Sequence, residues 1–371
     1  MEFIDLKTQY QRLKPRIDAR IHAVLDHGQY ILGPEVAELE RQLAAYCGTR
    51  HAVTCANGTD ALTLVLLAAG VTAGDAVFMP AFTFVATAEV VPPIGATPFF
   101  VDVSPETFNM NPESLKAGIA EAKKMGLRPR AVIPVDLFGQ PADYTAIREI
   151  CLQHDLLLIA DAAQSFGASL NNRRVGTLGD FTTTSFFPAK PLGCYGDGGA
   201  IFTDDDDKVD LLRSLRFHGK GSDKYDNVRL GLNSRLDTLQ AAVLLEKLAV
   251  FPDEVEARNQ VARRYNEGLG DVAVIPRLAS GATSVWAQYT ILMPNRDQVV
   301  AACKAAGVPT AVYYPIPLNQ QTGYKMYPSV AAGVPVSERL AQQVLSLPMH
   351  PFLERDAQDR VIETVRRAIS A

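Results

Sequence analysis

The sequence predicts an α/β protein: a large domain on a mostly parallel sheet covered on both faces, followed by a smaller α+β domain. Three observations predict it. Short apolar runs alternate with helical patterns through the first half of the chain, the rhythm of parallel strands joined by crossover helices. The residues that stand out chemically follow the ends of those runs, where ligands collect in open parallel sheets. The length of 371 residues suits two domains, one of them large.

Taken in order, residues 9–27 place Leu13, Ile17, Ile21, Val24 and Leu25 at helical spacing. The Gly28 to Pro34 turn breaks that helix, and a second follows through Val36, Leu39, Leu43 and Tyr46, with Gly48 as its stop. A strand from His51 to Cys55 runs into Asn57-Gly58-Thr59 and a helix from Ala61 to Ala69. Such a turn offers free backbone N–H groups and a positive dipole end to an anion such as a phosphate. It also reads as a simple capped helix, with Asn57 or Thr59 as the cap.

Strand Ala76 to Met79 precedes Phe82, Phe84 and a helix; strand Pro98 to Val101 ends in Asp102. Helix Pro112 to Lys124, strand Ala131 to Val135, helix Tyr144 to Gln153 and strand Leu156 to Ala160 continue the alternation. We assign no role to Asp136. Asp161 follows five apolar residues and needs a cationic or donor partner. A protonated pyridine nitrogen is one such partner; a helix N-cap is the other reading. A strand from Asp180 to Phe187 then delivers Lys190 to a turn with Gly193, Gly196, Gly198 and Gly199. A lysine at the mouth of a buried strand is costly unless neutralised or covalently engaged, and a lowered amine pKa suits Schiff-base chemistry. The alternative is a side chain that snorkels to solvent.

Asp204 to Asp207 reads as a helix start, where carboxylates meet the positive dipole end. A long helical region, Leu236 to Leu269, breaks near Phe251-Pro252 and divides the chain into residues 1–250 and 251–371. The second part contains strand Val285 to Met293, helix Arg296 to Ala306, strand Thr310 to Tyr314 and a final helix Asp356 to Ile369.

Composition narrows the function classes. The net charge of −5 gives no pull towards nucleic acid or anionic membrane, and no apolar run approaches a membrane span. The first residues lack a basic segment followed by an apolar core, so no signal peptide is expected. Five scattered cysteines without Cys-x-x-Cys spacing read as reduced thiols in a cytoplasmic protein, and the six histidines show no metal-ligand spacing.

Several motifs together resemble one family, the pyridoxal-phosphate-dependent sugar aminotransferases of the DegT/DnrJ/EryC1/StrS group, of the aspartate-aminotransferase-like fold (fold type I). They are Phe3 to Leu6, Gly28 to Pro34, Asn57 to Leu62, Thr83 to Thr87, Leu137 to Gln140, Asp161 to Ser165, the Lys190 stretch, and Asn233 to Asp237. Within that family, Ser185 to Ala200 and Tyr314 to Leu318 resemble the branch acting on UDP-2-acetamido-2-deoxy-3-oxo-glucuronate, an intermediate for bacterial surface polysaccharide.

The resemblance implies roles residue by residue. Lys190 joins pyridoxal phosphate as a Schiff base and later shuttles the proton. Asp161 keeps the pyridine nitrogen protonated, and Gln164 lies near the ring and its phenolic oxygen. Gly58, Thr59 and Ser185 bind the phosphate, Phe84 stacks on the ring, and Asn233 reaches the phosphate from a neighbouring subunit of a homodimer. Glutamate is the implied amino donor and a nucleotide-linked keto sugar the acceptor. Arg235 is a candidate for the diphosphate or a sugar carboxylate, or for a surface salt bridge. Tyr313 and Tyr314 line the sugar site or pack as a strand end; the resemblance implies histidine where this chain has Tyr313. Amination at carbon 4 of another nucleotide sugar, and a cofactor-bound regulator without turnover, are the alternatives. No helix-turn-helix pattern favours a regulator. Related sugar dehydratases carry histidine in place of the lysine.

Overall fold

A computed structural model describes residues 1–223 and 225–370. In chain order the elements are helices α1 (Leu6–His27) and α2 (Pro34–Cys47), strand β1 (His51–Cys55), α3 (Gly58–Ala68), β2 (Asp75–Pro80), α4 (Ala86–Glu89), β3 (Thr97–Val101), α5 (Pro112–Lys124), β4 (Arg128–Val132), α6 (Tyr144–His154) and β5 (Leu157–Asp161). They continue with β6 (Ser169–Leu170), β7 (Arg173–Arg174), β8 (Phe181–Ser185), β9 (Gly199–Thr203), α7 (Asp206–Leu215), α8 (Thr238–Leu269), β10 (Tyr289–Leu292), α9 (Arg296–Ala305), α10 (Pro335–Gln343), β11 (Val344–Leu347) and α11 (Arg355–Ser370).

Seven strands form the main sheet in the order β1-β9-β8-β5-β4-β2-β3. All its neighbours are parallel except β9, which runs antiparallel to both β1 and β8. The carboxyl ends of β1, β2, β3, β4, β5 and β8 therefore share one edge, and every site residue expected after those strands is delivered there. β2 and β9 are buried along their whole length, and in β1, β3, β5 and β8 only one end residue is half-exposed, as strands covered on both faces require.

Local signals set most boundaries. Gly28 and Gly48 adopt left-handed conformations just past α1 and α2, the backbone state that glycine tolerates best. Asn57 caps α3 by accepting from the N–H of Asp60, and Asp205 caps α7 in the acidic run. β4 ends three residues earlier than expected because Pro134 has no N–H for the ladder; its carbonyl still accepts from the N–H of Asp161 at 3.0 Å. The expected strand Thr310 to Tyr314 reduces to one bridge, Ala311 to Ser346, in a segment whose Pro309, Pro315 and Pro317 lack donors. The strand expected from Val285 begins only at Tyr289, after Trp286 at φ 49°.

α8 does not break at Phe251-Pro252; it runs unbroken for 32 residues with Pro252 inside it. An internal proline costs a helix about 3 kcal/mol, and packing on both sides outweighs that here. Ala241, Leu244, Leu248 and Phe251 pack with Phe186, Leu192 and Phe202 beside the main sheet. Val261, Tyr265 and Leu269 pack with Trp286, Tyr289, Leu345 and Val361 around the β10–β11 pair. The expected division after residue 250 thus falls within a continuous helix, close to where its buried partners change. No helix among the described residues is long and apolar enough to cross a membrane.

Candidate active site

The site forms where β1, β5 and β8 end, with β9 between β1 and β8. Register places Gly199 opposite both Cys55 and Ser185. A Cβ on Gly199 would stand 2.4 Å from the carbonyl oxygen of Asn57, so only glycine lets the start of α3 cross over β9. Gly58 then meets Ser185 directly: a Cβ on Gly58 would lie 2.8 Å from the Ser185 Cβ. The α3 N-terminus, with Gly58 and Thr59 in its first turn, and the half-buried Ser185 hydroxyl wall one cradle. Donors and a positive dipole end gathered this way suit a phosphate. Asn57 does cap the helix, so the two readings of this turn are compatible.

Asp161 is the last residue of β5, and no helix follows it; residues 163–167 form turns. It is buried. Thr87 donates its hydroxyl to Oδ2 at 2.9 Å, and the Ala163 N–H donates to Oδ1 at 3.2 Å. Burial pushes its carboxyl pKa up, while Ala163, Thr87 and the charge of Lys190 pull it back. Lys190 is half-buried. Burial pulls its amine pKa down, and Asp161 opposes that shift. The two groups are thus brought together, each offsetting part of the other's desolvation.

Gln164 is buried, with its Oε1 accepting the Phe138 N–H at 2.7 Å and its Nε2 donating to the Tyr314 hydroxyl at 3.2 Å. Tyr314 lies 6.1 Å from Phe84 and 5.8 Å from Tyr313, ring centre to ring centre. Phe84 leaves 52% of its surface exposed, a free aromatic face at the end of β2. Tyr313 packs edge-on to Phe3 at 6.3 Å. Asn233 is exposed and pairs by its backbone with Phe217. The Arg235 guanidinium stacks 4.8 Å from the Phe217 ring. These last two stand on a separate segment, tied to the site through Ser234, whose hydroxyl accepts the Ala56 N–H at 3.1 Å.

Two residues of the site carried no expectation. Thr87 stands inside the Thr83 to Thr87 motif, and its partner lies 74 residues away, a relation without local signal. Asp136 is buried behind Asp161, with its N–H donating to the Asp161 carbonyl at 3.0 Å. Its carboxylate accepts from the Ala142 N–H at 2.9 Å, the Tyr144 hydroxyl at 2.7 Å and the Ser165 hydroxyl at 2.6 Å. Burial pushes its pKa up to about 7 against those three donors. A lone aspartate after an apolar run is the signal that could have marked it.

Residues 11–366 match the DegT/DnrJ/EryC1/StrS aminotransferase family. The chain is 52% identical over 358 residues to the UDP-2-acetamido-2-deoxy-3-oxo-D-glucuronate aminotransferase of Pseudomonas aeruginosa, covering 95% of this chain and 96% of that one. It is 43% identical to a pleiotropic regulatory protein of Geobacillus stearothermophilus, covering 98% and 96%. Its structure superposes with a TM-score of 0.98 on a DegT DnrJ EryC1 StrS aminotransferase from Brucella abortus, at 54% identity over 99% of both chains. The resemblance carried by the sequence motifs is borne out along the whole chain: the protein belongs to the DegT/DnrJ/EryC1/StrS aminotransferase family.

Proposed function

We propose that this aminotransferase uses pyridoxal phosphate and glutamate to aminate carbon 3 of UDP-2-acetamido-2-deoxy-3-oxo-glucuronate. The observation that carries the chemistry is the Lys190–Asp161 pair: a carboxylate at the end of β5 and an amine on the loop after the neighbouring parallel strand β8, each charge offsetting part of the other's burial. The 52% identity to the Pseudomonas aeruginosa enzyme supports the sugar.

The residues fit the cofactor. Asp161 has two neutral donors and one cation around it, and a ring nitrogen bearing a proton is the further partner that a buried carboxylate favours. The Gly58–Ser185 cradle matches a dianionic phosphate, and Phe84 offers its exposed face to a flat ring. When bound, pyridoxal phosphate supplies an electron-withdrawing ring that eases loss of a proton from the carbon bearing the amine.

The chain's own groups do the rest. Lys190, whose amine burial shifts towards the neutral form against the pull of Asp161, is the group that attacks a carbonyl carbon and then carries a proton on Nζ. Thr87 and Ala163 fix the plane of the Asp161 carboxylate. Phe138 and Tyr314 hold Gln164 from both ends of its amide, so it presents one orientation beside the ring. Tyr313, Tyr314 and Arg235 face the sugar nucleotide. Asn233 is exposed and pairs by its backbone with Phe217; in this reading it serves the phosphate of a second copy, within a homodimer.

One observation favours a regulator, the 43% identity to the Geobacillus stearothermophilus protein. The visible spectrum of the purified protein separates the readings. A visible band that glutamate abolishes, that the keto sugar restores, and that Lys190→Ala lacks supports the aminotransferase. A band that no amino donor moves favours the regulator. No band even with added cofactor overturns the assignment of Lys190 and Asp161.

A further inference from the structure

The loop that carries Lys190 is closed on itself. The Phe186 N–H donates to the Gly198 carbonyl at 2.7 Å, the Cys194 N–H to the Phe186 carbonyl at 2.8 Å, and the Lys190 N–H to the Phe187 carbonyl at 2.8 Å. Gly193 is pressed into the middle of it: a Cβ there would stand 2.6 Å from the Phe187 carbonyl oxygen and 2.5 Å from that of Pro188. Gly193 is buried, so its own carbonyl needs a donor from the protein.

Lys247 supplies it. This lysine sits in the first third of α8 with 1% of its surface exposed, and its amine donates to the Gly193 carbonyl at 2.6 Å. The same amine lies 4.3 Å from the centre of the Tyr195 ring. Two turns earlier on α8, Gln240 accepts the Tyr195 N–H at 2.8 Å and donates to the Tyr195 carbonyl at 3.4 Å. One long helix thus grips the loop at Gly193 and at Tyr195. Burying an ammonium is expensive; burial pulls its pKa down to about 8 even with Glu254 and Cys194 opposing. Glu254 is itself occupied by the Gln9 amide, at 2.8 and 3.0 Å. An apolar side chain would fill this position without burying a charge, so the amine's contact with Gly193 is what distinguishes it.

We propose that Lys247 is a positioning residue for Lys190: its buried amine, seconded by Gln240, fixes the loop from Phe186 to Gly198 against α8 and so sets where the Lys190 amine meets Asp161. The proposal rests on Lys190 being the Schiff-base residue.

The test uses the full-length protein with its cofactor, as wild type, Lys247→Met, Lys247→Arg and Gln240→Leu. Three quantities are read: stability to denaturant, the pH midpoint of the visible band, and kcat and KM for the keto sugar. Lys247→Met keeps the volume but leaves the buried Gly193 carbonyl without its donor, so the denaturation midpoint should drop while the protein still folds and binds the cofactor. Its kcat should nonetheless fall about tenfold to a hundredfold, the scale of an ångström-sized misplacement, with KM little changed and the midpoint of the band displaced. Lys247→Arg, which keeps a donor, should recover part of kcat. Wild-type kcat and midpoint in Lys247→Met overturn the proposal, as does a loss of kcat that Lys247→Arg leaves unrepaired. Should Lys247→Met not fold, Gln240→Leu decides: a lower kcat at constant KM supports the proposal, and a normal kcat overturns it. A wild type without a visible band overturns the proposal together with the reading of Lys190, whereas a normal wild-type band with an unaltered variant overturns this proposal alone.

Discussion

The amide of Gln164 donates to the hydroxyl of Tyr314 across 3.2 Å, joining the turn after β5 to a segment 150 residues further along. Tyr314→Phe removes that acceptor and leaves a buried amide N–H unsatisfied. The expected cost is about 1–3 kcal/mol of stability, read from urea unfolding with cofactor present. Unchanged unfolding would mean that Gln164 finds another acceptor.

Asp161→Asn keeps the shape of the side chain and removes its charge. The protein should fold and bind the cofactor, but its half-reaction with glutamate should slow by roughly 10²–10³, the scale for losing one buried electrostatic partner. Stopped-flow absorbance at saturating glutamate measures it; a slowing of less than about tenfold would show that the carboxylate's charge does not carry the chemistry.

Asp136→Asn gives a signed pH dependence. The Asp136 carboxyl has its pKa raised from 3.8 to about 7 in the folded protein. Between those values the native state binds more protons than the unfolded one, so the contribution of Asp136 is fully present below 3.8 and is lost as pH rises through about 7. Wild type should therefore lose stability relative to Asp136→Asn between pH 4 and 7 and run parallel to it above. Denaturation curves at pH 4.5, 6 and 7.5 suffice, and a constant difference would refute the shift.

Gly58→Ala places a methyl group 2.8 Å from the Ser185 Cβ. Overpacking of this kind costs about 1–3 kcal/mol, and it opens the cradle at its tightest point. Equilibrium dialysis should show weaker retention of pyridoxal phosphate, with Thr59→Ala, which adds no bulk, retaining more.

Much of this was legible in the residues. The strand–helix rhythm gave the parallel sheet, Lys190 and Asp161 stood out because a charged group followed an apolar run, and Gln164 was marked by the family resemblance. Three features were not legible. Thr87 and Lys247 act on partners 74 and 54 residues away, and a threonine in a short helix or a lysine within an apolar stripe carries no sign of which way it points. The continuity of α8 was hidden because a proline inside a helix is a local stop signal, and only packing on Phe166 and the main sheet's far partners overrides it; the Phe251 and Phe166 rings stack at 5.8 Å. Pro134 was the reverse case, a visible breaker within a stretch whose apolar character suggested a longer strand.

The packing of α1 on α8 sets an order of events during synthesis. Leu13, Ile17 and Val24 of α1 are buried, and Gln9 meets Glu254 across 245 residues of chain. The ribosome adds residues at roughly 5–20 per second, so α1 leaves it about 10–40 s before α8 begins to follow. During that interval the apolar stripe of the first helix is without its eventual cover. A nascent chain stalled before Thr238 should be recognised by chaperones at its beginning rather than at its growing end, and the oldest part of the protein is among the last to reach its place.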